Sequence, residues 1–131
     1  MYGRIVVGVA KTDSAKRAVD VASDLAERYG AELHLVMAFD RSGTALDSPP
    51  RKQAEAYLEL LASNARVRVK LHAIPGDPAD TVLLVANEVG ADLVVVGNRG
   101  MHGAARRVLG SVPNSIAHGA PCSVLIADTT S

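Results

Sequence analysis

Apolar positions along this chain keep two rhythms, and the rhythms alternate. Residues 4–10 (Arg-Ile-Val-Val-Gly-Val-Ala) form a short run rich in β-branched side chains, the mark of a buried strand. Thr12, Asp13 and Ser14 are candidate N-caps. Beyond them Ala15, Ala18, Val19, Ala22, Leu25, Ala26 and Tyr29 recur at helical spacing until Gly30 stops the pattern. Residues 31–38 read as a second strand. Residues 39–50, with Asp40, Ser42, Gly43, Asp47, Ser48, Pro49 and Pro50, have the chemistry of a turn or linker. A helix is expected from Arg51 to Asn64, with Ala54, Leu58 and Leu61 inward. Residues 67–74 then alternate apolar and mostly basic side chains, as in a strand with one wet face at a sheet edge.

Pro75-Gly76-Asp77-Pro78 breaks the chain, and Asp77 or Pro78 opens a third helix with an expected stripe of Ala79, Val82, Leu83, Ala86 and Val89. Gly90 closes it. Leu93-Val94-Val95-Val96 is the most apolar strand and ends at Gly97. A glycine-rich loop leads to a last helix from Ser111 to His118 and a last strand from Cys122 to Ala127. Such alternation predicts an α/β fold: a doubly wound, five-stranded parallel sheet with helices on both faces, because each right-handed crossover needs a helix to return the chain. The edge-like third strand and the apolar first and fourth fit the strand order 3-2-1-4-5. That order opens a crevice where the winding reverses, between Val9-Ala10-Lys11-Thr12 and Gly97-Asn98-Arg99-Gly100.

Composition narrows the partners. The 131 residues suit one domain over 1–131, and with 3% aromatics and no Trp the interior must be filled by Val, Leu, Ile and Ala. Fourteen basic residues balance fourteen acidic ones, so no global field attracts nucleic acid or an anionic membrane. No stretch approaches the roughly 18 apolar residues of a membrane helix, and the N-terminus has no signal-peptide pattern; a cytoplasmic location is expected. The single Cys122 agrees with a reducing compartment and reads as a packed thiol.

The chemistry is concentrated in residues 97–111. Gly97, Gly100 and Gly110 let backbone amides approach a ligand without an intervening Cβ, and Ser111 stands where a helix begins, with its free N–H groups and dipole facing an anion. Between Asp92 and Asp128 there is no acidic residue, while Arg99, Arg106 and Arg107 are present. The bland alternative is a tight strand-to-helix turn followed by a solvated basic face. Neither a Walker A loop nor a dinucleotide fingerprint is present, since residues 10–13 are Ala-Lys-Thr-Asp.

Gly97, Gly100, Gly110 and Ser111 match Gly-x2-Gly-x9-Gly-Ser/Thr after the fourth strand, and in this the chain resembles the universal stress protein family. Three fixed glycines plus Ser or Thr would arise by chance in roughly one chain in 200 of this length, so the motif is specific. The likeness runs nearly the whole chain and is strongest from Gly97 to Ala127. Gly110-Ser111-Val112-Pro113 is similar to single-domain actinobacterial members, some of which bind ATP or cyclic AMP. The resemblance implies a Rossmann-like, adenine nucleotide alpha hydrolase-like fold with an adenine-nucleotide pocket (ATP or another adenine nucleotide, with Mg²⁺ as its accompanying ion). Gly97, Arg99 and Gly100 would line the ribose and phosphate path, Gly110, Ser111 and Val112 would hold phosphates, and Ala38 would flank adenine. Val9, Ala10, Lys11 and Val96 complete the expected walls. It also implies a homodimer through Ser123 to Ala127 and an unidentified protein partner. One departure stands out: ATP-binding members carry Asp-Gly after the first strand, the Asp contacting the adenosine end, and here the residues are Ala10-Lys11. The competing expectation is therefore a domain that has lost nucleotide binding and acts by protein contact, and a third is slow ATP hydrolysis.

Other tempting residues read more plainly. His34, His72 and His118 show no metal-ligand spacing, and His102 reads as a solvent-facing loop residue that would add a donor to an anion when protonated. Asp13 suits a helix N-terminus on dipole grounds, and no Ser-His-Asp or Cys-His set can be assembled from local spacing, so nothing demands an enzyme.

Overall fold

The computed structural model describes residues 1–10, 13–40, 48–97 and 111–128. Its elements are β1 (Arg4–Val9), α1 (Asp13–Tyr29), β2 (Glu32–Phe39), α2 (Pro49–Ala62), β3 (Val69–Pro75), α3 (Pro78–Val89), β4 (Leu93–Gly97), α4 (Ser111–Gly119) and β5 (Ser123–Ala127). All five strands are parallel in the order β3-β2-β1-β4-β5, as the edge-like third strand leads one to expect.

Strand alternation divides the interior into two layers. Ile5, Val7, Leu33 and Leu35 face α1 and α2, meeting Ala18, Ala22, Ala26 and Leu58; Val6, Val36, Val94 and Val96 face α3 and α4, meeting Val82, Val85, Ala86 and Ile116. Small helix residues bring α1 and α3 close to the sheet, which is how a core with so few aromatics is filled. Gly8 serves the same end: a Cβ there would lie 3.0 Å from Val82 Cγ2 and 3.4 Å from Val96 Cγ1, so its bare backbone makes room for α3. Gly30 and Gly90 end α1 and α3 with φ of 65° and 66°, the left-handed region in which glycine avoids the Cβ clash.

Several boundaries differ from the sequence expectation. α2 begins at Pro49, two residues early, because Pro49 and Pro50 occupy first-turn positions where no N–H is needed, and the Ser48 hydroxyl accepts from the Arg51 amide at 3.4 Å. Turn chemistry was here the start of a helix. In α3 the buried positions include Thr81 and Val85, while Leu83 and Val89 are half-buried; the Thr81 hydroxyl donates to the Pro78 carbonyl at 3.0 Å, which removes the cost of burying it. Tyr29 is exposed and packs edge-on against Tyr2, with ring centroids 5.4 Å apart, instead of entering the core. β2 and β3 run one residue further than expected, and β3 and β5 start later, at Val69 and Ser123.

Candidate functional site

In an all-parallel sheet every connecting helix starts at the carboxyl ends of the strands, so all four helix N-termini gather at one pole. Among the described residues two of these starts carry side-chain caps. Ser48 caps α2, and Asp77 caps α3, its Oδ2 accepting from the Asp80 amide at 3.1 Å. α1 and α4 follow β1 and β4, the two central strands, and the first turn of α4 carries no acidic residue.

The pairing of β1 with β4 stops before either strand ends. Their pairing runs from Ile5–Leu93 to Val7–Val95, and its constant offset sets Val9 level with Gly97. Yet β1 goes on pairing with β2 as far as Val9–Met37, and β4 with β5 as far as Gly97–Ala127. Beyond Val7–Val95 each strand pairs with its outer neighbour, at the point where the winding reverses and where sheets of this order characteristically hold a crevice.

The expected site residues that are described stand at this pole. Val9 and Val96 are buried on opposite faces of the sheet, Val9 in the α1/α2 layer and Val96 in the α3/α4 layer, while Ala10, Ala38, Gly97 and Val112 are half-buried. Ser111 opens α4, and Val112 behind it packs on the α3/α4 layer. Lys11, Arg99, Gly100, Gly110 and His102 lie outside the described residues, as do the side chains of Asp13 and Ser111. One cation at the same pole was not anticipated: the Arg51 guanidinium lies 4.9 Å over the Phe39 ring, and its Nη1 donates to the Ala73 carbonyl at 3.4 Å. Only the pairing of β2 with β3 brings these residues together; an Arg after two prolines is no signal in itself.

The amino pole has an open, polar depression lined by Arg4, Glu27, Glu32, Arg66, Arg68 and Asp92. There Asp92 accepts from the amides of Gly3 and Arg4 at 2.9 and 3.1 Å, and Glu32 lies 3.9 Å from Arg68 and 3.7 Å from Lys70.

The remaining candidates sort themselves by contact. His34 and His72, far apart in sequence, hydrogen-bond to each other at 2.9 Å, and His34 also reaches Glu32. Among the described residues no group of three or more His, Cys, Asp or Glu side chains could hold a metal ion. Cys122 is a free, half-buried thiol whose pKa is pushed up by burial and by Asp92, which disfavours the reactive thiolate. Among the described residues no helix is long and apolar enough to cross a membrane.

Comparison with known proteins matches residues 1–128 to the model of the universal stress protein family. A universal stress protein of Mycobacterium tuberculosis strain H37Rv is 34% identical, with 98% of each chain covered, and one from Thermus aquaticus is 30% identical over 96% of this chain and 98% of that one. Among solved structures, a universal stress protein in complex with cAMP superposes with a TM-score of 0.82 at 32% identity, covering 98% of this chain and 99% of that one. The Archaeoglobus fulgidus universal stress protein in complex with dAMP has a TM-score of 0.72 at 21% identity, covering 96% and 97%, and supports the fold.

Proposed function

Since the chain belongs to the universal stress protein family, we propose that it is an adenine-nucleotide-binding regulatory module, one domain over residues 1–131, whose ligand lies across the carboxyl ends of β1 and β4. The observation that carries this reading is the end of the β1–β4 pairing at Val7–Val95, short of both strand ends, beside a helix whose first turn has no acidic residue. Small, half-buried Ala10, Ala38 and Gly97 leave room at the strand ends for a flat base and a ribose. The amides at the start of α4, with Gly97, Gly100, Gly110 and Arg99 on the preceding loop, supply donors and positive charge for phosphate. The cAMP complex of a relative covering nearly the whole chain adds support for a cyclic or linear adenine nucleotide.

ATP, with its Mg²⁺, and cyclic AMP are the ligands to test, and occupancy would act by shifting the loop after β4 or the dimer state read by a protein partner in the cytoplasm. Calorimetry with ATP, ADP, AMP and cyclic AMP should give saturable heat for at least one of them. At a hundred times its dissociation constant that ligand would stabilise the fold by about 2.7 kcal/mol, a readable thermal shift. No heat and no shift at millimolar concentrations would favour the competing reading, in which Ala10-Lys11 has abolished binding and the domain works by protein contact.

The same reading includes a homodimer through β5. That strand pairs with β4 along one edge and lies at the end of the sheet, with Val124, Leu125 and Ile126 only half-buried, so a second copy would satisfy its free edge. Light scattering at micromolar concentration should give twice the chain mass of 13.6 kDa; a monomeric mass would count against the pairing.

A further inference from the structure

Near the amino pole, at the far end of the strands from the proposed nucleotide site, β2 and β3 are joined by a chain of proton-bearing side chains. His34 is 1% exposed. Its Nε2 lies 2.8 Å from Glu32 Oε1 and its Nδ1 lies 2.9 Å from His72 Nε2, with the rings inclined by 28°. A carboxylate only accepts, so Nε2 of His34 carries the hydrogen and donates to Glu32. Nδ1 of His34 is then a lone pair, and Nε2 of His72 donates to it. This assignment satisfies both hydrogen bonds with both rings neutral. Burial raises the Glu32 pKa, but the hydrogen bond from His34 and the charges of Lys70, His34 and Arg68 outweigh it and hold Glu32 below its ordinary value, so it stays ionised.

We propose that Glu32, His34 and His72 form a proton-sensitive clasp that fastens edge strand β3 to β2 while the two rings carry at most one added proton, and that loosens β3 when both are charged. With one added proton shared by the pair, one nitrogen of the His34–His72 contact still carries a hydrogen and the other keeps its lone pair, so the clasp survives. A second proton removes that lone pair and sets two charged donors 2.9 Å apart, one of them in a fully buried ring. No rotation of His34 in place rescues the contact without releasing Glu32.

The surroundings divide as this requires. On α3, Glu88 faces His72 and favours its charge, while Asp80 lies at the opposite pole of the helix. Lys70 on β3 opposes that charge, and Lys70 and Arg68 draw on the same Glu32 carboxylate that His34 uses. β1 presents only the apolar Val6 at the level of His34. Burial, then the neighbouring His34, push the His72 pKa below its ordinary value despite Glu88. The folded state therefore binds fewer protons than the unfolded chain, and the stability this gives above the ordinary imidazole range is lost as the pH falls through it.

The test follows thermal unfolding and amide exchange of the full chain between about pH 8 and pH 5, the interval in which histidine charge changes. The wild type should lose several degrees of Tm toward the acid end. Protection of the Lys70 to Ile74 amides should fall by about tenfold or more while that of Val6, Val7, Val94 and Val95 is kept. In His72→Gln the amide nitrogen can still donate to His34 but takes up no proton, and less than half of that loss should remain. An equal loss in the variant overturns the proposal. Should the variant fail to fold, ring-nitrogen NMR of the wild type decides: two well-separated titration steps shared by both rings support the clasp, and two independent steps near the ordinary imidazole value overturn it.

Discussion

Ala10→Asp is expected to tighten adenine-nucleotide binding by roughly 10- to 150-fold, the equivalent of a hydrogen bond to a charged group worth about 1.5 to 3 kcal/mol. Ala10 follows the last residue of β1, is half-buried, and lies beyond the last pair that β1 makes with β4. A carboxylate placed there lies just ahead of the start of α1, whose dipole keeps it ionised. By resemblance it would meet the adenosine end of the ligand, so the gain should be shared by ATP, AMP and cyclic AMP and not scale with the number of phosphates. Calorimetry on the variant and the wild type reads this directly. An unchanged or weaker affinity for all three would mean that the pocket does not lie against the end of β1.

Leu35→Ala should cost about 2 to 5 kcal/mol, a large part of the roughly 5 to 15 kcal/mol that holds a domain of this size folded. Leu35 is fully buried in the middle of β2, level with Val7 on one side and Leu71 on the other, under the layer closed by α1 and α2. Its neighbours there are largely methyl-bearing chains fixed in strands or short alanines on α1, so little can move in to fill the space. The urea midpoint should fall in proportion, with an unchanged slope. A loss below about 1 kcal/mol would show that the layer relaxes around the missing atoms.

The neighbouring placement of β1 and β4 was legible in the sequence because its makers are local. β-branched runs, glycine stops and proline breaks each act within a few residues, and strands joined by single helices can be wound in few ways. The basic alternation of Arg68 and Lys70 marked an edge, and the unbroken apolar run at Leu93 to Val96 marked a central strand, which was enough to place the ends of β1 and β4 side by side. The same locality explains the misreadings. Pro49 and Pro50 have turn chemistry in isolation and first-turn chemistry once α2 docks on β3. Thr81 looks like a surface residue until its hydroxyl finds the Pro78 carbonyl.

What this sequence determined by itself is the kind and order of its elements and which strand ends share the carboxyl pole, since both follow from periodicity and from where a helix must begin. Tertiary structure alone decided which distant side chains share a space: Gly8 against Val82, Arg51 over Phe39, and His34 against His72. Those meetings depend on the register between strands and on how deeply a helix sinks into the sheet. Both are set by the summed packing of the whole core, and no short stretch of sequence encodes either.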